Sequence, residues 1–250
     1  MHIFRFFENE KFIVNNTYCL TQQNSHKIIN VLRLGIDDQI YLFNNTNTEF
    51  IAKIIAINRT TRSKIVEIII LQANYKNLES DLKIHVAQAI AKHDNMDWII
   101  QKSTELGADQ ITPIITKRTI KKISNQQPKK ILHWQSIATE ACAQCGRNIV
   151  PTINQIMYFD DFITINQSVD MSQKFILSPA PSTSIVTNNY DFSAKKIMLI
   201  IGPEGGFSDE ELKFANRQQF VPLTFGPRTL RTETAAITAI SILQSKYGDL

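Results

Sequence analysis

The sequence is poor in the residues that interrupt regular structure, with eight glycines and eight prolines among 250 positions. Together with 43% hydrophobic and 20% charged residues, that scarcity excludes collagen-like and disordered chains. Cysteine is scarce as well. Cys19, Cys142 and Cys145 cannot all pair with one another, which excludes a disulfide scaffold and fits a reducing compartment. Long apolar runs are missing: residues 235–243, the longest near the C-terminus, reach about half of the ~20 residues that a membrane-spanning helix needs. Glu8, Glu10 and Lys11 interrupt what would have to be the apolar core of a secretory signal. The expectation is a cytoplasmic protein with no membrane contact.

Acidic residues are absent from one stretch. Residues 117–130 hold Lys117, Arg118, Lys121, Lys122, Lys129 and Lys130 without a single Asp or Glu, six positive charges against +4 for the whole chain. Such a run is either a polyanion-binding surface or a solvated loop and helix start, and charge alone does not separate the two.

Two patterns divide the chain. Up to about residue 71, the segments 3–7, 39–43, 50–57 and 64–71 are rich in β-branched and aromatic residues and read as strands. A short amphipathic helix over 25–34, stopped by Gly35, sits among them. From residue 82 the pattern turns to strands alternating with longer helices: strands over 83–88, 110–115, 174–177, 196–201 and 221–225, and helices over 94–106, from Pro128, from Ser208 and from Thr232. Alternation of this kind predicts an α/β domain with a mostly parallel sheet. The polar stretch 72–81 is the linker candidate, giving a small β-barrel over 1–72 and an α/β domain over 73–250.

Open parallel sheets bind ligands at the carboxyl ends of their strands. Three strands here run into unusual loops: Leu177, Ser178 and Pro179 after the first; Ile201, Gly202, Pro203, Glu204, Gly205 and Gly206 after the second; Phe225, Gly226, Pro227 and Arg228, then Leu230 to Ala235, after the third. Neither G-x-G-x-x-G nor G-x-x-x-x-G-K-[ST] occurs, and Pro203 and Pro227 lack the N–H groups that a phosphate cradle uses. The loops suit a ligand held by shape and carbonyls, such as a purine. Gly205 and Gly206 allow close backbone approach, or else only turn the chain from strand to helix. Ser208 with Glu211 is a capping box and carries no chemistry. Cys142 and Cys145 form a C-x-x-C on a helix face with no second cysteine pair, so they read as core residues and no metal site is expected.

These loops resemble the RsmE family of SPOUT methyltransferases. The resemblance spans almost the whole chain: Phe4–Phe7, His26 with Val31 to Arg33, Trp98 to Lys102, Gln144 to Arg147, Gly202 to Gly206, and Gly226 to Ala235. It implies an N-terminal PUA-like β-barrel and a C-terminal parallel-sheet α/β domain whose chain forms a trefoil knot. It also implies a homodimer that uses S-adenosyl-L-methionine to methylate N3 of a uridine in the 16S ribosomal RNA of the small subunit. The cofactor would sit against Leu177, Ser178, Pro179, Ile201 and the 202–206 loop, with Phe225, Gly226, Leu230, Thr232 and Ala235 closing the far side. Arg231 is the candidate for stabilising charge on uracil, or it braces the loops through Glu204 or Glu233. Arg5, Arg33, Lys117, Arg118, Lys121, Lys122 and Arg147 are candidate RNA contacts, which position a substrate without choosing its base. A ribose 2'-hydroxyl methyltransferase of the same fold, or a non-catalytic RNA-binding protein, remain as alternatives.

Overall fold

The computed structural model describes residues 4–59, 64–119, 127–167, 173–178, 183–184 and 195–250. The chain divides into two compact units, Met1–Glu79 with Cys142–Val150, and Ser80–Ala141 with Pro151–Leu250. The first unit therefore takes in residues 142–150, which a break after residue 72 leaves on the other side.

In the first unit the strands are β1 (Arg5–Phe7) and β2 (Thr17–Cys19), then β3 (Gln39–Phe43), β4 (Thr48–Arg59) and β5 (Lys64–Tyr75), with helix α1 (Gln22–His26) between β2 and β3. They form a mixed five-stranded sheet in the order β1-β3-β4-β5-β2, parallel only between β1 and β3. Alternate residues of β4 and β5, among them Ile54, Val66, Ile68 and Ile70, pack with Phe6, Ile28, Ile40 and Leu42 into one apolar core. Strand β5 runs on to Tyr75, so the front of the expected linker is sheet. The predicted helix also differs. Thr21 caps α1, the chain continues as a π-helical turn over Lys27–Leu32, and Arg33 at φ 55° ends it, two residues before Gly35.

Residues 142–150 are clasped to this sheet by buried charge. Arg5 Nη1 donates to the Cys142 carbonyl at 3.0 Å, its Nη2 to Asn148 Oδ1 at 2.5 Å, and its Nε lies 3.0 Å from Glu49 Oε2. Arg147 pairs with Glu79 through Nη2 at 2.5 Å and Nε at 3.1 Å. Arg5 is 8% exposed and Arg147 5%. Both are expected from the sequence as RNA contacts; with their guanidinium groups enclosed, they instead hold the unit together, because a buried charge is tolerable only when paired and hydrogen-bonded. The C-x-x-C is likewise packing: Cys142 is buried, and that burial pushes its thiol up to about 12.

The second unit holds β6 (Lys83–Ala89), α2 (His93–Glu105), β7 (Ala108–Ile115), α3 (Gln127–Cys145) except its last four residues, which belong to the first unit, β8 (Thr152–Ile153), β9 (Met157–Tyr158), α4 (Phe159–Ile165), β10 (Gln173–Leu177), β11 (Thr183–Ser184), β12 (Lys196–Ile201), α5 (Asp209–Arg217), β13 (Val221–Thr224) and α6 (Thr232–Tyr247). Its sheet has the order β11-β13-β10-β12-β6-β7-β8, with β9 also on β7, and the pairings are parallel. The central strands β10, β12 and β6 are almost wholly buried, as strands covered on both faces must be. Gly107, at φ +85°, ends α2 as expected. No helix among the described residues is long and apolar enough to cross a membrane.

Candidate active site

Strands β12, β10 and β13 are neighbours and all point the same way, so the loops at their carboxyl ends open side by side. They enclose a cleft of about 590 Å³, a volume in the ordinary range for small-molecule sites. Thirteen of the residues expected at the site line it: Leu177 and Ser178 from the first loop, Ile201 and all of 202–206 from the second, and Phe225, Leu230, Arg231, Thr232 and Ala235 from the third. Gly226 does not line it, and Pro179 lies outside the described residues. The cleft also takes in Lys92 and Asn95, which sequence reading missed. They follow the carboxyl end of β6, the next strand beside β12, so the same strand-end rule would have found them.

Each loop is held by bonds that the sequence could not reveal. Thr232, the first residue of α6, donates from Oγ1 to the Gly202 carbonyl at 2.6 Å and accepts from Gln88 Nε2 at 3.0 Å. Glu204 Oε1 accepts the Lys92 N–H, at 3.0 Å, where α2 begins and its N-terminal N–H groups favour a negative charge. The capping box at Ser208 forms as expected, and Glu211 bridges two segments, its Oε2 taking the Ser208 N–H at 2.8 Å while Oε1 takes the Lys117 N–H at 2.8 Å. Lys117 Nζ pairs with Glu210, and Arg118 Nη1 donates to the Gly205 carbonyl at 2.9 Å. Two residues of the basic run are thus tied to the 202–211 segment. Lys121 and Lys122 lie outside the described residues. Arg33 is exposed in the first unit.

The two adjacent glycines differ. Gly206 has φ +67°, and a Cβ there would meet no atom of the described residues beyond its chain neighbours within 4 Å, so the space beside it in the cleft is open to a ligand. Gly205 is not in the left-handed region. A Cβ there would stand 3.3 Å from Arg118 Cβ, so its smallness serves the Arg118 contact. Among the described residues the cleft's charged lining is Lys92, Glu204, Arg228, Arg231 and Glu233. Among the described residues no ion pair joins Arg231 to Glu204 or Glu233, so the bracing alternative for Arg231 has no bond behind it here. Glu233 Oε2 is buried and has no hydrogen-bond partner among the described residues.

The RNA methyltransferase domain family matches residues 78–244, and the RNA methyltransferase PUA domain family matches residues 20–61. The ribosomal RNA small subunit methyltransferase E of Buchnera aphidicola from Schizaphis graminum is 39% identical over 240 residues, 95% of this chain and 94% of that one. This chain belongs to the ribosomal RNA small subunit methyltransferase E family. Solved structures agree. A Legionella pneumophila methyltransferase with bound cofactor SAM is 40% identical, covers 100% of both chains and superposes with a TM-score of 0.93. A Neisseria gonorrhoeae ribosomal RNA small subunit methyltransferase E bound to S-adenosyl methionine is 31% identical, again over 100% of both chains, with a TM-score of 0.89. The parallel-sheet domain and the PUA-like unit with its mixed sheet are those of this family.

Proposed function

We propose that this chain is an S-adenosyl-L-methionine-dependent methyltransferase that acts on N3 of a uridine in 16S ribosomal RNA of the small subunit, as a cytoplasmic homodimer with a trefoil knot in its α/β domain. The observation that carries the reading is the convergence of the three strand-end loops on one cleft in a chain of this family. The cofactor, when bound, supplies the electrophilic methyl group. The cleft fits such a ligand. It has the volume, it leaves open space at Gly206, and it offers carbonyls and carboxylates in place of a phosphate cradle.

In this reading Leu177, Ser178, Ile201, Gly202–Gly206, Phe225, Leu230, Thr232 and Ala235 form the cofactor wall, and Pro179 and Gly226 belong to the same loops. Arg231 lines the cleft with an exposed side chain on the N-cap of α6. A guanidinium there stabilises the negative charge that uracil gains as N3 loses its proton. N3 lies on the pairing edge, so the base is met unpaired or swung out. Arg33, Lys121 and Lys122 remain the candidate phosphate contacts, whereas Arg118 first holds the cofactor loop and Lys117 the start of α5 behind it.

Digesting treated 16S ribosomal RNA to nucleosides and locating the methyl by mass spectrometry tests the reading. A methyl on uracil N3 is the expected result. A methyl on a ribose 2'-oxygen would replace it with the alternative chemistry of the fold, and the absence of both transfer and S-adenosylmethionine binding in calorimetry would leave a binding protein.

A further inference from the structure

Two carboxylates line the cleft, and their surroundings differ. Glu204 is occupied, holding the Lys92 N–H at the start of α2. Glu233, in the first turn of α6, has an oxygen that is buried and without a partner among the described residues. A buried carboxylate oxygen left unpaired is costly, and because the Glu233 side chain lines the cleft, a ligand there can supply the missing donor once the carboxyl group turns towards it. Thr232 sits between Arg231 and Glu233 and is pinned on both sides, to the Gly202 carbonyl and to Gln88, which fixes the backbone from which the two flanking side chains spring. Guanidinium and carboxylate in one cleft complement the pairing edge of uracil, where an N–H stands between two carbonyls. The carboxylate can accept the N–H while the guanidinium donates to the neighbouring carbonyl.

We infer that the Glu233 carboxylate accepts the N3 proton of the uridine during methylation. The inference rests on the uridine reading above. N3 gives its proton to Glu233 and keeps the electron pair of the N–H bond. That pair forms the N3–CH₃ bond as the S–CH₃ bond breaks with its electrons on sulfur, and the protonated Glu233 later loses its proton to water. Among the described residues, the charged groups that share the cleft are Lys92, Glu204, Arg228 and Arg231.

The test uses the full-length protein with Glu233→Gln, which keeps size and shape but cannot take a proton. Single-turnover methylation of small ribosomal subunits at neutral pH should slow by about a hundredfold or more, while calorimetry gives an unchanged S-adenosylmethionine affinity. The pH profile decides the role. With no proton acceptor, only uracil already ionised in solution reacts, so the variant's rate should climb roughly tenfold per pH unit through mildly alkaline pH, more steeply than wild type. RNA carrying 5-fluorouridine, whose N3–H is more acidic, should regain much of the lost rate in the variant. A variant rate within a few-fold of wild type overturns the inference. So does a weakened cofactor affinity with an unchanged pH profile, which would make Glu233 a partner of the cofactor's ammonium group. A wild-type enzyme that leaves N3 unmethylated would instead overturn the uridine reading itself.

Discussion

Thr232 Oγ1 donates to the Gly202 carbonyl at 2.6 Å, so one hydroxyl joins the loop after β12 to the first turn of α6. Gln88 Nε2 reaches the same oxygen at 3.0 Å and brings in the end of β6. Thr232→Val keeps the shape and removes the hydroxyl, leaving a half-buried carbonyl and the buried Gln88 amide each short of a partner, at about 1–3 kcal/mol. Its melting temperature and its calorimetric affinity for S-adenosylmethionine should both fall, and Thr232→Ser should restore both. Undiminished affinity in the Val variant would mean that the loops keep their register without this bond.

Arg118 belongs by sequence to a basic run and by structure to the cofactor loop, where it donates to the Gly205 carbonyl at 2.9 Å. Its side chain is exposed, so solvent screens the interaction, and Arg118→Ala should cost about 1 kcal/mol, or roughly fivefold, in S-adenosylmethionine affinity measured without RNA. A pure phosphate contact would behave otherwise. It would leave cofactor binding unchanged and flatten the log-log salt dependence of RNA binding by about 0.7 for single-stranded RNA.

Arg5 sits at the centre of the clasp on residues 142–150, between Glu49, Asn148 and the Cys142 carbonyl. Arg5→Met leaves Glu49, among the described residues, with its Lys76 contact at 3.1 Å and removes a donor from three buried acceptors, the Cys142 and Arg147 carbonyls and Asn148 Oδ1. Breaking a buried pair from one side costs about 3–5 kcal/mol, so the unfolding midpoint in urea should drop well below that of wild type. The salt dependence of RNA binding by the folded fraction should not change. A normal midpoint with a flattened salt slope would return Arg5 to the RNA surface.

Strand and helix periodicity made the α/β domain legible, and β12 was read with its observed ends because a continuous apolar run between Lys196 and Gly202 leaves little choice. Short elements were missed. β8 and β9 are two residues each, and α4, Phe159–Ile165, mixes aromatic and β-branched residues, types that favour strands, while their burial against β7 and α5 fixes a helix. The strand-end rule located the cleft, since it depends only on topology. What it could not reach was the partner of each side chain. Arg5 and Arg147 look like any basic residues in sequence, and only long-range packing brings Asn148 and Glu79 to them.

His85 gives a pH dependence that the sequence did not suggest. It lies in β6, with Nε2 2.7 Å from Thr112 Oγ1 and its ring 5.6 Å from that of Phe162. Burial disfavours the imidazolium and pushes its pKa down to about 4, a shift that Asp109 opposes only weakly. The unfolded chain binds this proton near pH 6.5, and the folded chain does not until about pH 4. Stability is therefore intact above about pH 6.5 and falls as pH drops from there towards 4, by a total of about 3 kcal/mol from this one group. Exposed carboxylates held low by lysines, Glu210 beside Lys117 and Asp81 beside Lys195, lose their contribution only at lower pH, as they protonate. Urea unfolding between about pH 7 and pH 5 isolates the histidine. Wild type should lose up to about 1.4 kcal/mol per pH unit in the lower part of this window, and His85→Gln should be flatter across it, though less stable at neutral pH for want of the ring's packing on Phe162. Parallel curves for the two proteins would show that His85 protonates alike in the folded and unfolded chain, and that the burial of its ring carries no pH dependence.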